Sequence, residues 1–269
     1  MIPMTLASNT LSTERVQVVR DARGVVTLTL NDPARFNALG AEMLADLQQV
    51  LDALAQDEGL RVVVLAAAGK AFCAGHNLKD MAQHPELDWY QQLFAQCSRV
   101  MLSLHKLPVP VIARVHGMAT AAGCQLVAQC DLAVAADGAS FATSGIHYGL
   151  FCSTPSVPLV RNVPAKRAME MLLTGDFIDA ATARQEGLVN RVVPLQALDA
   201  EVEQLVQSIL DKPRAAVALG KALVYRQREL GLEAAYQLAG QTMAVNMMDA
   251  AAQEGARAFA EKRKPDWKC

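Results

Sequence analysis

The sequence predicts an α/β fold with parallel strands and a helical C-terminal region. Three observations carry this. Short apolar, β-branched runs recur at residues 61–66, 109–115 and 131–136, a pattern suited to strands covered on both faces. Helical spacings lie between them, so strand and helix alternate, as parallel crossover connections require. From Pro164 onward helical patterns dominate and alanine, the best helix former, is dense.

Residues 1–14 read as a loose leader. Residues 15–19 and 25–30 read as two strands joined by the turn-rich Asp21-Ala22-Arg23-Gly24. In the second strand Val26, Leu28 and Leu30 share one face, and Thr27 and Thr29 the other. From residue 41 to 55 the period changes: Leu44, Leu47, Leu51 and Leu54 fall at helical spacing. Further helices are predicted over 87–104 and 123–130. In the last third, one short strand at 190–193 interrupts the helices. Lys212-Pro213 opens a helix with proline at a tolerated early position, and two more helices run over 232–248 and 250–262. The predicted organisation is an α/β core over residues 15–195 and a C-terminal helical region over 196–269.

Composition excludes several classes. Lys and Arg total 25 and Asp and Glu 27, a formal charge of −2, so no nucleic-acid partner is expected from basicity. No run reaches the roughly 18 apolar residues of a membrane span, so no membrane partner is expected. The first residues lack a basic segment followed by an apolar run, which argues against a signal peptide. Six cysteines at 73, 97, 124, 130, 152 and 269 form no CxxC pair, and no Cys/His spacing suits a zinc site. They read as reduced, buried thiols of a cytoplasmic protein, with no metal.

Phosphate-cradling GxGxxG and GxxxxGK[ST] loops and the GxSxG nucleophile elbow are absent. Two glycine-containing loops remain, at residues 69–80 and 116–125. Both follow buried strands and lead toward helices, where free backbone N–H groups can face an anion or a developing oxyanion. Two such loops on neighbouring strands can aim one N–H each at the same oxygen, although tight βα turns account for the same spacing.

The motif KAFCAGHNLKD at 70–80 resembles the first signature of the enoyl-CoA hydratase/isomerase, or crotonase, superfamily. HGMATAAGCQLVAQCD at 116–131 is similar to the second. AMEMLLTGDFIDAATARQEGLVN at 168–190 and FAEKR at 259–263 resemble later family segments. The resemblance spans about residues 16–263. It implies a crotonase-like spiral of ββα units, C-terminal helices for oligomerisation, and a homotrimer or dimer of trimers. It further implies an acyl-CoA thioester substrate in fatty acid metabolism, and lyase or isomerase chemistry through an enolate. Coenzyme A is then part of the substrate, and no separate cofactor is expected.

Carried onto this chain, the resemblance assigns two oxyanion-binding amides to His76 and Ala122. It places Ala74, Asn77, Leu78 and Lys79 along the CoA arm, and Arg35 and Ala38, in RFNAL at 35–39, near the nucleotide end. Phe259 and Lys262 would meet the CoA phosphates, in keeping with a local charge of +3 over residues 257–268.

The sequence departs from the family at the two glutamates that hydratases use. Those positions hold Gln125, which can orient water but cannot titrate, and Gly145, which has no side chain. A general acid or base typically contributes roughly 10²–10⁴-fold, so ordinary 2-enoyl-CoA hydration is doubtful on this reading. His147 is the candidate replacement acid or base, with packing or surface exposure as its plain alternative. The His76 side chain could also reach the acyl pocket; Tyr148, Cys152 and Ser153 are weaker candidates, and Asp80 reads as a helix-start residue rather than a base. A non-catalytic acyl-CoA-binding or regulatory protein is the alternative function.

Overall fold

The computed structural model describes residues 11–267; most of the 1–14 leader, the signal-peptide reading and Cys269 fall on residues outside this range. Six strands form a large sheet in the order β1-β2-β3-β5-β7-β10: β1 (Val16–Arg20), β2 (Val25–Leu30), β3 (Val62–Ala67), β5 (Val111–Val115), β7 (Leu132–Ala136) and β10 (Arg191–Val193). β1 and β2 are the expected antiparallel hairpin, pairing Val18 with Leu28, and every later pair is parallel.

A second sheet of four strands lies in what the sequence presents as loops. It is ordered β4 (Ala71–Cys73), β6 (Met118–Thr120), β8 (Ser140–Ala142) and β9 (Ile178–Asp179). These strands are two or three residues long, too short for a period to show. The expectation of a single strand after Pro164 is therefore corrected: β9 precedes β10. Three long strands, β3, β5 and β7, each hand the chain to a short one and then to a helix, which generates the ββα spiral: β3, β4, then α2 (Leu78–Gln83) and α3 (Leu87–Lys106); β5, β6, then α4 (Ala122–Gln129); β7, β8, then α5 (Ser153–Asn162).

Alternation in the long strands separates two apolar clusters. Val26, Leu28, Leu30, Val63 and Leu65 enter the main core with the buried face of α1 (Ala41–Ala55), including Leu44, Leu47, Leu51 and Leu54. Val25, Val62, Val64 and Ile112 face the other way and meet Leu198, Val202 and Val206 of α8 (Leu198–Leu210). β3 is thus buried on both faces, as its unbroken run of apolar residues requires.

α6 (Ala165–Thr174) and α7 (Ala180–Gln185) lead into β10, and α8 follows. α9 (Arg214–Gln227) starts after Pro213, which lies at its cap. It is tied to the core through Lys221, whose ammonium donates to Asp131 Oδ2 (2.7 Å), Leu104 O (3.0 Å) and Val109 O (2.9 Å). Tyr225 donates to Asp131 Oδ1 at 2.7 Å. α10 (Leu232–Met247) buries only Ala235 and exposes Leu232, Tyr236, Met243 and Val245. α11 (Ala250–Ala260) stops two residues before the predicted 262, where Lys262 adopts φ +56°. No helix among the described residues is long and apolar enough to cross a membrane.

Candidate active site

The small sheet brings the two signature loops together. β4 and β6 are parallel neighbours, so their C-terminal ends emerge side by side. After β4 the chain turns at Gly75, with φ +87°. A Cβ there would stand 2.8 Å from Ala121 Cβ and 3.1 Å from Ala122 N. Glycine is needed for both the dihedral and the approach. On the other loop Ala121 adopts φ +50° and caps α4, an uncommon conformation for a residue with a Cβ. Gly123 packs so closely on the Cys73 carbonyl that no Cβ fits. Among the described residues, the amides of His76 and Ala122 have no acceptor within the chain. The second is an orphan donor of a helix N-terminus.

Asn37 holds the first loop in place. It is fully buried with φ +54°. Its Oδ1 accepts from Asp32 N at 2.9 Å, and its Nδ2 donates to Ala68 O (2.8 Å), Ala71 O (3.0 Å) and Phe72 O (3.2 Å). The Cys73 thiol donates to Asn37 O at 3.1 Å, Ala74 N to Phe36 O at 3.0 Å and Leu39 N to Gly75 O at 2.8 Å. RFNAL and the end of β4 are therefore one hydrogen-bonded unit. Sequence reading assigned Asn37 no role, because the carbonyls it donates to lie more than thirty residues away.

A cavity of about 1030 Å³ opens between these loops and the segment after β8. Arg35, Ala38, Ala74, His76, Asn77, Leu78, Lys79, Ala122, Gly145 and His147 all line it, as do Asp80 and the weaker candidates Tyr148, Cys152 and Ser153. Asp80 is the only carboxylate of the lining, and Arg35 and Lys79 its only Lys or Arg side chains. Asn77 Oδ1 accepts from Lys79 N at 3.1 Å and caps α2. Phe259 and Lys262 do not line the cavity of this chain; Phe259 is exposed at the end of α11.

The positions of the expected glutamates differ in character. Gln125 lies on α4, one turn beyond Ala122, but is not among the residues that line the cavity. It is buried, and neither its Oε1 nor its Nε2 is hydrogen-bonded within the described residues. At Gly145 a Cβ would stand 2.6 Å from Leu150 O and 2.9 Å from Cys152 Sγ. His147 is exposed, with its ring against Gly175.

The His76 ring is better defined. Its Nδ1 contacts Leu39 O at 2.8 Å. A carbonyl only accepts, so Nδ1 carries the proton. The ring meets Phe94, also in the lining, edge-on at 5.4 Å. Burial lowers its pKa, outweighing the opposing effect of the Leu39 bond, so the ring is neutral near pH 7. Its Nε2 is buried without a partner. Thr120 and Ser144, which sequence reading missed, share a hydroxyl–hydroxyl bond of 2.7 Å in the same wall. Burial pushes the thiols of Cys73, Cys97 and Cys124 up to about 12 and raises that of Cys152, leaving them poor nucleophiles. Among the described residues no cluster of three or more His, Cys, Asp or Glu is arranged for a metal ion.

A ββα spiral with two glycine-dependent loops converging on one cavity defines a crotonase-fold protein. The chain belongs to the enoyl-CoA hydratase/isomerase family, whose profile matches residues 20–269. It is similar to the crystal structure of an enoyl-CoA hydratase from Mycobacterium smegmatis, with 60% identity and a TM-score of 0.94 over 96% of this chain and 100% of that one. The human enoyl-CoA hydratase domain-containing protein 3 structure is 43% identical, with a TM-score of 0.90 over 94% and 100% of the two chains. The mouse protein of that name, described as mitochondrial, is 45% identical over 95% of this chain and 85% of its own. The rat, Xenopus, human and zebrafish counterparts are also named mitochondrial. Those relatives overturn the cytoplasmic expectation, which rested on an absent leader motif and on cysteine usage.

Proposed function

We propose that this chain binds acyl-CoA thioesters in the cavity and stabilises an enolate at the thioester oxygen through the amides of His76 and Ala122. The convergence of their two loops, with both donors unpaired, is the observation that carries this reading. Arg35, Ala38, Ala74, Asn77, Leu78 and Lys79 line the arm of the cavity that takes the CoA, with the cations of Arg35 and Lys79 suited to its phosphates. Phe259 and Lys262 reach the CoA from a neighbouring copy. A homotrimer or dimer of trimers buries the apolar side chains that α10 exposes. No separate cofactor takes part.

Ordinary hydration requires one group to activate water and another to protonate the α-carbon. Gln125 cannot titrate, and position 145 has neither a side chain nor room for one. The proposed activity is therefore acyl-CoA chemistry with a noncanonical acid and base, His147 being the candidate beside position 145. The same observation favours a second reading, an acyl-CoA-binding or regulatory protein without turnover. Calorimetric titration with crotonyl-CoA and CoA tests the binding site, and loss of enoyl absorbance tests turnover. Tight thioester binding with slow or no hydration is expected. Absence of thioester binding overturns the proposal.

A further inference from the structure

Two neighbouring helices begin at the cavity. α4 and α5 pack side by side and run the same way. Asn162 Nδ2, at the end of α5, donates to Ala128 O, near the end of α4, at 2.8 Å. At the other end Cys152, the cap of α5, interacts electrostatically with Cys124 in the first turn of α4. Their N-termini therefore emerge together. α4 contributes the unpaired Ala122 amide and α5 the Cys152 thiol, and both residues line the cavity. The Thr120–Ser144 bond of 2.7 Å holds the 3-10 turn over Ser144–Tyr148 against the same end of α4. Cys152 Sγ lies against Gly145 of that turn, in the room that a side chain there would take. Burial keeps the proton on this thiol near neutral pH, although a bond to the Gly145 backbone works the other way. A protonated thiol is a weak nucleophile but can still deliver a proton, and its thiolate is a stronger base than a carboxylate.

Resting on the acyl-CoA reading, we infer that Cys152 is a catalytic residue that carries a proton to and from the α-carbon of the bound thioester. In one direction the thiolate takes the α-proton. The electron pair of the broken C–H bond becomes the enolate, held at its oxygen by the amides of His76 and Ala122. In the other direction the thiol returns a proton to that carbon and the thiolate takes another from solvent. No oxidant or co-reactant is needed, and a saturated thioester exchanges its α-hydrogen with solvent without net reaction. This fills one of the two proton-transfer roles, and His147 remains the candidate for the other.

Incubation of butyryl-CoA with the full chain in deuterated water, read by mass spectrometry and corrected for exchange without protein, tests this beside calorimetric titration. Deuterium is expected at the α-carbon. The rate should rise about tenfold per pH unit between pH 6 and 8, following the thiolate fraction, whereas a histidine base levels off above about pH 7. Cys152→Ala should slow exchange at least about 100-fold, with butyryl-CoA affinity kept within about threefold as the sign of an intact site. Three results overturn the inference while leaving the acyl-CoA reading in place: binding without exchange, a rate that levels off near pH 7, or exchange that survives Cys152→Ala. Failure of butyryl-CoA to bind better than CoA overturns both. The wild-type pH profile needs no variant to fold.

Discussion

Cys152 Sγ lies 2.9 Å from where a Cβ on Gly145 would stand, so the thiol occupies the room a side chain at 145 requires. The Leu150 carbonyl, at 2.6 Å, closes the remainder. Gly145→Glu is thus expected not to restore hydration. It should lower the melting temperature by several degrees, because a backbone carbonyl cannot step aside as a flexible side chain can. The crotonyl-CoA absorbance assay and a thermal melt check the two halves.

Gly75→Ala forces a Cβ into φ +87° and against Ala121 Cβ. A destabilisation of about 1–3 kcal/mol is expected from strain alone. Acyl-CoA affinity should fall further than stability does, since Ala122 N is among the atoms displaced. Urea denaturation measures the first effect and calorimetry the second.

Asn37→Ala removes the partners of Asp32 N and of the Ala68, Ala71 and Phe72 carbonyls. Leaving such groups unpaired in the core costs on the order of 3 kcal/mol. Asn37→Asp should be no better, because it turns an acceptor toward three carbonyls. Equilibrium urea unfolding of both variants decides this.

Lys221→Met breaks a buried ion pair whose ammonium also satisfies Leu104 O and Val109 O. A loss of about 3 kcal/mol is expected. Limited proteolysis should cut α9 earlier than in the unmodified chain, because this pair and Tyr225 fasten that helix to β7 and the end of α3.

Glu254 accepts from Arg263 at 2.6 and 3.1 Å and from Asp266 N at 3.1 Å. The guanidinium bonds and then the amide bond hold its carboxyl at about 2, against an ordinary 4.5. A depressed folded-state pKa contributes stability above the unfolded value and loses it as pH falls from 4.5 toward 2. The segment that follows α11 should detach in that window. Trp267, whose indole donates to Asp211 O at 2.9 Å, reports it by fluorescence in a Trp89→Phe background. Glu254→Gln should abolish the transition.

The long strands and amphipathic helices were legible because burial imposes a period on at least five residues. Val26, Leu28 and Leu30, with Leu44, Leu47, Leu51 and Leu54, face the core as their spacing requires. Two- and three-residue strands carry no period, so the sheet that brings the signature loops together was read as turns. The family motifs pointed to His76, Ala122 and part of the cavity lining. They carried no sign of the Asn37 bonding or the Thr120–Ser144 pair, which depend on residues far apart in the chain. Gly145 was legible as an absent carboxylate. That Cys152 fills the gap was not, because a short 3-10 helix over Ser144–Tyr148 and the turn after it return the thiol to that point.

The bonds around Asn37 have a mechanical consequence. The loop carrying Arg35 and Ala38 and the strand end carrying His76 move as one rigid piece. On the proposed reading, a ligand held at the Arg35 loop by its nucleotide end would thereby be aligned at its reactive end. Slack introduced at that loop would be felt as misalignment at the carbonyl, although no atom near the carbonyl had been changed.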